Sequence, residues 1–262
     1  PLRGLLRILR MPTLEIALYA FLGGILPAVL WLHFLLKEDA RCPEPRPLII
    51  FAMFAGMLAV PIVLPLEHYA RAVLPTLSSI GPLFDRFALN TSIELPVIIA
   101  WATIEETVKF VLAALLILWR KQVDEPIDLI IYMICVALGF AALENALFLV
   151  APLANGDVMQ TVLANNLRFV GATLLHVIAS STVGFAMALA YRKRRHVRPL
   201  AVALGLILAI ALHAIFNFLI IRETASHTLL AFLLVWLGAV VGFGLFEILR
   251  YSRYKRLPKN TC

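Results

Sequence analysis

Six ionisable side chains occupy positions where a membrane-spanning helix is ordinarily apolar: Glu105, Glu106, Lys109, Glu144, His176 and His213. A charged residue at the centre of a bilayer costs at least ~2.5–3.5 kcal/mol on insertion scales, so each of them needs a reason. Glutamate can accept a proton from water, and a buried amide such as Asn217 can donate to a developing oxyanion. Carboxylates, imidazoles and an amide together are therefore suited to hydrolysis.

The costly residues share one depth across four successive helices. An α-helix rises ~1.5 Å per residue, so Glu105 lies ~15 Å from the outer end of its helix at residue 95. The same count puts Glu144 ~10 Å from residue 151, His176 ~14 Å from residue 167 and His213 ~12 Å from residue 221. Polar residues with separate structural roles would not be expected to lie at one common depth. We therefore expect these residues to converge on one cavity in the outer half of the membrane.

Each residue also has a structural interpretation. Lys109 follows Glu105 at i+4 and could simply neutralise a glutamate. It is not expected to satisfy both Glu105 and Glu106, because adjacent residues on a helix point ~100° apart. A single buried Glu144 or His176 is more often a hydrogen-bonded core residue. The common depth favours a functional group instead.

The same residues could hold a metal ion. Glu144, His176 and His213 offer one oxygen and two nitrogens, a donor set that can bind zinc and leave a position for water. If zinc is bound, we predict these three ligands. The residues leave open whether a metal is required.

The elements that carry these residues are membrane helices. The chain is 62% hydrophobic and 15% charged, with a mean hydropathy of +0.92, which excludes an ordinary soluble domain. We predict an all-α, polytopic transmembrane helix bundle of about seven or eight spans, forming one domain over 1–262, with catalytic spans at about 95–221. The apolar segments are 13–36, 48–66, 95–119, 129–151, 167–191, 199–221 and 229–250.

Two regions leave the topology of the first half open. Residues 1–12 are predicted to form a basic interfacial arm. Residues 67–94 are too polar for a clear span, so a short interfacial or re-entrant helix is expected there. An eighth crossing in 67–94 would change the side of the membrane on which the N-terminus lies.

The net charge of +7 does not indicate nucleic-acid binding, because the basic residues lie in loops and at span ends. Fifteen of the 23 Lys and Arg lie in the loops after the first, third and fifth segments and in the C-terminal tail; seven lie opposite, and Lys109 is mid-span. This bias puts the C-terminus in the cytoplasm, with the chain integral to the membrane. The three cysteines form neither a metal-spacing pattern nor a disulfide framework.

Four ordered motifs on successive spans resemble the PrsW family. An EExxK motif is formed by Glu105, Glu106 and Lys109, and an FAxxEN motif runs from Phe140 to Asn145. They are followed by His176 and by the pair His213 and Asn217. The resemblance implies an intramembrane protease of a prokaryotic cytoplasmic membrane that cleaves a single-span membrane protein. The family's known substrate is a single-span anti-sigma factor.

The chain is also distantly similar to the CAAX prenyl proteases, which have a histidine where this chain has Glu144. That similarity implies a water activated by glutamate, with the final histidine and asparagine stabilising the oxyanion. By analogy Glu105 is the favoured base, with Glu106 close behind. Because Glu144 stands where those proteases have a histidine, the inference that this chain shares their prenylated substrate is weakened.

Two other functions compete with a protease. Buried glutamates and histidines also form ion pathways, so a proton- or metal-coupled transporter is the main alternative. Against it, the sequence has no inverted repeat and no pair of interrupted helices in matching positions. A non-catalytic membrane scaffold is the other alternative, and it does not explain the shared depth.

Overall fold

The computed structural model describes residues 13–38, 43–74, 95–222 and 224–254, and the regular structure in those ranges is entirely helical. A π-helical turn, Arg168–Ala172, joins the helix Val158–Leu167 to the helix Thr173–Ala190 and makes them one continuous helix. The helices in chain order are α1 (Thr13–Glu38), α2 (Arg46–Val73), α3 (Leu95–Leu116), α4 (Pro126–Ala154), α5 (Val158–Leu167), α6 (Thr173–Ala190), α7 (Val197–Ile221) and α8 (Ala225–Tyr254).

Within the described ranges, six helical stretches are long and apolar enough to cross a membrane: α1, α2, α4, α5 with α6, α7 and α8. The α3 helix has 22 residues but carries three ionisable side chains, Glu105, Glu106 and Lys109, which lower its apolar character. Large apolar residues on α8 face outward, with Leu229 70% and Val240 67% exposed, as is expected of a surface in contact with lipid. The predicted all-α membrane bundle is confirmed.

Two predicted segment ends were wrong. The second apolar segment was expected to end at residue 66, but α2 continues to Val73 because its polar last turns still form helix. The segment expected to begin at residue 167 belongs to a helix that begins at Val158. Polar residues such as Gln160 lower the hydropathy of its first turns, so the apolar run begins later than the helix. His176 is therefore further from the start of its helix than the depth count assumed. The predicted arm at 1–12 and residues 75–94 lie outside the described residues.

The α4 helix forms the centre of the bundle, packed against α1, α2 and α6. Close approach of the backbones fixes this packing: a Cβ atom on Gly56 would lie 1.9 Å from the carbonyl oxygen of Val136, and one on Gly139 would lie 1.9 Å from that of Met53. Small residues allow such contact between membrane helices. A capping box between Glu125 and Asp128 begins α4.

The remaining helices surround one flank of α4. The α3 helix packs against α2 and α7, and α6 packs between α4 and α7. The α8 helix covers the outside of α6 and α7. This arrangement turns the polar positions of α3, α4, α6 and α7 toward one another in the interior.

Candidate active site

Three charged residues of α3 are almost completely buried: Glu105 is 5% exposed, Glu106 1% and Lys109 0%. The Lys109 ammonium donates a hydrogen bond to Glu106 Oε1 over 2.7 Å and lies 3.7 Å from Glu105 Oε2. Its close partner is thus the i,i+3 glutamate rather than the i,i+4 one. The pairing leaves the two adjacent carboxylates in different environments.

Hydrogen bonds from three helices hold the Glu106 carboxylate. Besides Lys109, it accepts from Ser180 Oγ of α6 over 3.2 Å, and its Oε1 lies 2.8 Å from His213 Nδ1 of α7. A carboxylate paired with an ammonium only accepts, so His213 Nδ1 carries the proton in this contact. In the neutral ring the other nitrogen of His213, Nε2, then has a free lone pair.

One oxygen of the Glu105 carboxyl group is not held in this way. Its Oε2 is buried and has no hydrogen-bond partner among the described residues. That oxygen lies 3.8 Å from His213 Nε2 and 3.9 Å from His176 Nδ1. A buried acceptor without a donor is costly, which makes Glu105 the reactive candidate of the pair.

His176 connects the α3 cluster to α4. Its Nδ1 lies 3.0 Å from Lys109 Nζ and its Nε2 lies 3.0 Å from Glu144 Oε2. Because an ammonium can only donate, Nδ1 is the acceptor, and the ring proton is on Nε2 and points to Glu144. The ring also contacts Phe140 and His213, with 5.1 Å between ring centroids in each pair.

Glu144 has a second partner that the sequence analysis missed. Arg168, the first residue of the π-helical turn, donates from Nη2 to Glu144 Oε2 over 2.5 Å and from Nε to Asn145 Oδ1 over 2.5 Å. Asn145 in turn donates to Thr173 Oγ1 over 2.9 Å. In the sequence Arg168 lies near a predicted span end, where an arginine ordinarily needs no partner.

A cavity of about 620 Å³ opens onto this group. The predicted site residues on its wall are Glu105, Glu144, His176, His213 and Asn217. Glu106 lies behind them, in contact with His213. Glu67 of α2, which the sequence analysis did not single out, also lines the cavity and lies beside the Glu105 carboxyl group. The structure thus brings all six predicted residues to one place.

A metal ion could be held by part of this group. One ligand atom from each of Glu105, Glu106, His176 and His213 lies within 4.8 Å of the others. Glu144 is not in that group, because its Oε2 faces Arg168 and His176 Nε2 instead. The predicted ligand set of Glu144, His176 and His213 therefore stays a prediction.

Comparison with known proteins identifies the chain. Residues 44–247 match the model of the PrsW family of intramembrane metalloproteases. Protease PrsW of Geobacillus kaustophilus is 27% identical over 204 residues, which cover 77% of this chain and 79% of that protein. Protease PrsW of Oceanobacillus iheyensis is 26% identical over 247 residues, covering 91% and 96%. No solved structure matches significantly.

Since the family match covers most of the chain, including all four motifs, and the similar proteins are bacterial membrane proteases, the chain is a peptidase and belongs to the PrsW family of intramembrane metalloproteases.

Proposed function

We propose that this protein hydrolyses a peptide bond in or next to the membrane segment of a single-span membrane protein, with Glu105 as the general base. An anti-sigma factor with one transmembrane helix is the substrate that the family resemblance suggests. The observation that carries the proposal is the cavity in which the unpaired Glu105 oxygen, two histidines and an asparagine meet. A transporter is not favoured by the family match.

The size of the cavity limits what can enter it. An α-helix with side chains is ~10–12 Å wide, so about 620 Å³ holds roughly one helical turn of chain. We propose that the substrate enters the cavity as a locally unwound segment, which also frees the carbonyl group of the bond to be cut.

Glu105 can move the protons that hydrolysis requires. Its carboxylate accepts a proton from water while the water oxygen attacks the peptide carbonyl carbon. The same proton then passes from Glu105 to the leaving nitrogen as the C–N bond breaks, which returns the carboxylate. Glu106 is less suited, because Lys109, His213 and Ser180 already occupy its oxygens.

Asn217 is the proposed donor to the oxyanion. It lines the cavity four residues after His213, and its side-chain amide can donate to the oxygen that becomes negative during attack. His213 is less suited to that task in its neutral form, because its one proton is then on Nδ1 and engaged with Glu106. His213 Nε2 is available as an acceptor or a metal ligand.

The residues present fit the metal that the family description implies once Lys109, which donates to His176 Nδ1 over 3.0 Å, turns away from that nitrogen. Glu105 Oε2 has no hydrogen-bond partner in the described part of the chain, and His213 Nε2 and His176 Nδ1 lie 3.8 and 3.9 Å from it. These three atoms provide one oxygen and two nitrogens, a donor set that zinc binds. We propose these three residues as the ligands, with Glu105 in place of the predicted Glu144. Bound zinc would supply Lewis-acid polarisation of the peptide carbonyl. The second Glu105 oxygen would remain able to accept the proton.

The protein itself is proposed to lie with its C-terminal tail in the cytoplasm, as a single domain. The support is the excess of basic residues in the tail and in the loops on the same side, 15 against seven. Reporter fusions after Tyr254 test this orientation: a reporter that is active only outside the cytoplasm should remain inactive.

A co-expression assay tests the function. Wild-type protein should cleave at least one member of a panel of tagged single-span proteins, and Glu105→Gln should cleave none. Glu247→Gln is the matched control, since Glu247 pairs with Arg250 on α8, away from the cavity. Ion flux into proteoliposomes, with no cleavage by the wild type, would support the transporter instead.

A further inference from the structure

Among the described residues, Arg168 is the only lysine or arginine on the cavity wall, and the proposed mechanism gives it no role. Its side chain is 16% exposed and its guanidinium stacks over the Phe148 ring at 3.8 Å from the centroid. It stands at the start of the π-helical turn that connects α5 to α6. Such turns change the direction of the side chains around them and are frequent at functional sites.

The guanidinium holds two consecutive residues of α4 at once. Its Nη2 binds Glu144 Oε2 and its Nε binds Asn145 Oδ1. The planar group of an arginine supplies these two donors in a fixed relation, which a lysine cannot do. Glu144 and Asn145 are the last two residues of the FAxxEN motif, so Arg168 fixes the polar end of that motif.

Glu144 passes this constraint to His176. Its Oε2 accepts from both Arg168 Nη2 and His176 Nε2, so the position of the carboxylate sets the orientation of the ring. With the proton on Nε2, the lone pair of Nδ1 points toward Lys109 and Glu105. Lys109 and Glu144 hold the two ring nitrogens from opposite sides and together select this tautomer, and Glu144 sets the direction of the Nε2–H bond.

We infer that Arg168 is a positioning residue for the proposed reaction: it holds Glu144, and through Glu144 it fixes the orientation of the His176 ring. The inference rests on the proposed function, because it gives His176 a defined place beside Glu105. Loss of an outer residue of this kind typically lowers activity 10–100-fold. We expect that loss in kcat, with KM little changed, since the residue acts on the site rather than on the substrate.

Substitutions of Arg168 separate its charge from its geometry. Arg168→Met should lower kcat by about 10–100-fold, and Arg168→Lys should restore part of it, because a lysine can pair with Glu144 but does not supply the second, fixed donor to Asn145. Arg222→Met is the matched control: Arg222 stacks on Phe218 at 4.7 Å at the end of α7 and does not line the cavity. It should keep wild-type kcat. A change in KM alone for Arg168→Met would mean direct substrate contact and overturn the inference.

A double-mutant cycle with Glu144→Gln tests whether Arg168 acts through Glu144. A glutamine carries no charge to pair with Arg168 and is a weaker acceptor for His176 Nε2–H, so it should lower kcat by itself. Arg168→Met should then add little further loss in that background. A full, additive loss would overturn the inference, whereas wild-type activity in Glu144→Gln would count against the proposed site itself.

A spectroscopic measurement does not depend on activity. In protein labelled with ¹⁵N-histidine, the Nε2–H proton of His176, assigned with His176→Gln, should exchange slowly with water in the wild type, because Arg168 holds its acceptor Glu144, and faster in Arg168→Met. If Arg168→Met does not accumulate in the membrane, Arg168→Lys is compared in the same way and should show an intermediate exchange rate. An unchanged exchange rate and chemical shift of this proton in both variants, with wild-type kcat in whichever can be purified, would reject the inference.

Discussion

The two adjacent glutamates should respond in opposite ways to the same substitution. Glu105 Oε2 has no hydrogen-bond partner in the described structure, whereas Glu106 accepts from Lys109, His213 and Ser180. Glutamine has nearly the shape of glutamate but no charge and no proton-accepting carboxylate. We therefore expect Glu105→Gln to lose activity and keep stability, and Glu106→Gln to lose stability first.

The contacts set the size of each effect. Removing a positioned general base typically costs 10²–10⁴-fold in rate, which is about 3–5 kcal/mol of activation free energy. Glu105→Gln removes that base but breaks no hydrogen bond of its Oε2. Glu106→Gln leaves the fully buried Lys109 ammonium without its 2.7 Å counter-ion, and such a loss costs about 3–5 kcal/mol of folding free energy.

The assay combines two measurements on the same purified proteins. Cleavage of a fluorogenic membrane peptide gives the rate, and tryptophan fluorescence on heating gives the unfolding midpoint. Glu247→Gln should change neither. An unfolding midpoint lowered in Glu105→Gln and kept in Glu106→Gln would refute the assignment of roles. Wild-type rates in both variants would remove the glutamate pair from the mechanism.

Three further predictions come from other contacts. Asn217→Ala should lower kcat by about 10²–10³-fold with little change in KM, as the loss of an oxyanion donor does, and steady-state kinetics measure both. Lys109→Met should raise the affinity for zinc about 10–100-fold, because the ammonium that donates to His176 Nδ1 over 3.0 Å no longer competes with the metal. Competition with a fluorescent chelator measures this affinity. An unchanged affinity would mean that the metal does not bind His176. Gly139→Val should lower the unfolding midpoint, since its Cβ would meet the Met53 carbonyl at 1.9 Å, whereas Gly244→Val, with nothing within 4 Å, should not.

The sequence predicted the membrane helices and the residues that line the cavity because both depend on strong local signals. Apolar runs of about 20 residues identify helices in lipid, and an ionisable residue within such a run is conspicuous. The boundaries failed at Val158 and Val73, where polar residues continue a helix beyond the apolar run. In those places the helix persists because its backbone hydrogen bonds do not depend on apolar side chains.

Arg168 and Glu67 were missed for a related physical reason. Both lie toward the ends of apolar runs, where a long charged side chain can reach water and requires no partner. Only the fold shows that they turn inward to the cavity, Arg168 beside Glu144 and Glu67 beside Glu105. A charge near a span end is therefore uninformative until the neighbouring helices are known.

The different environments of Glu105 and Glu106 could not be predicted from their own positions. The two residues are identical in type, adjacent on α3 and equally buried, and differ only by a rotation of ~100° about the helix axis. That rotation points Glu106 at Ser180 of α6 and His213 of α7, which bind it, while Glu105 Oε2 is left without a donor at the cavity. Lys109 adds to the difference because it satisfies the glutamate at i,i+3. One neighbouring carboxylate thus neutralises the buried ammonium, and as a result the other is available for proton transfer.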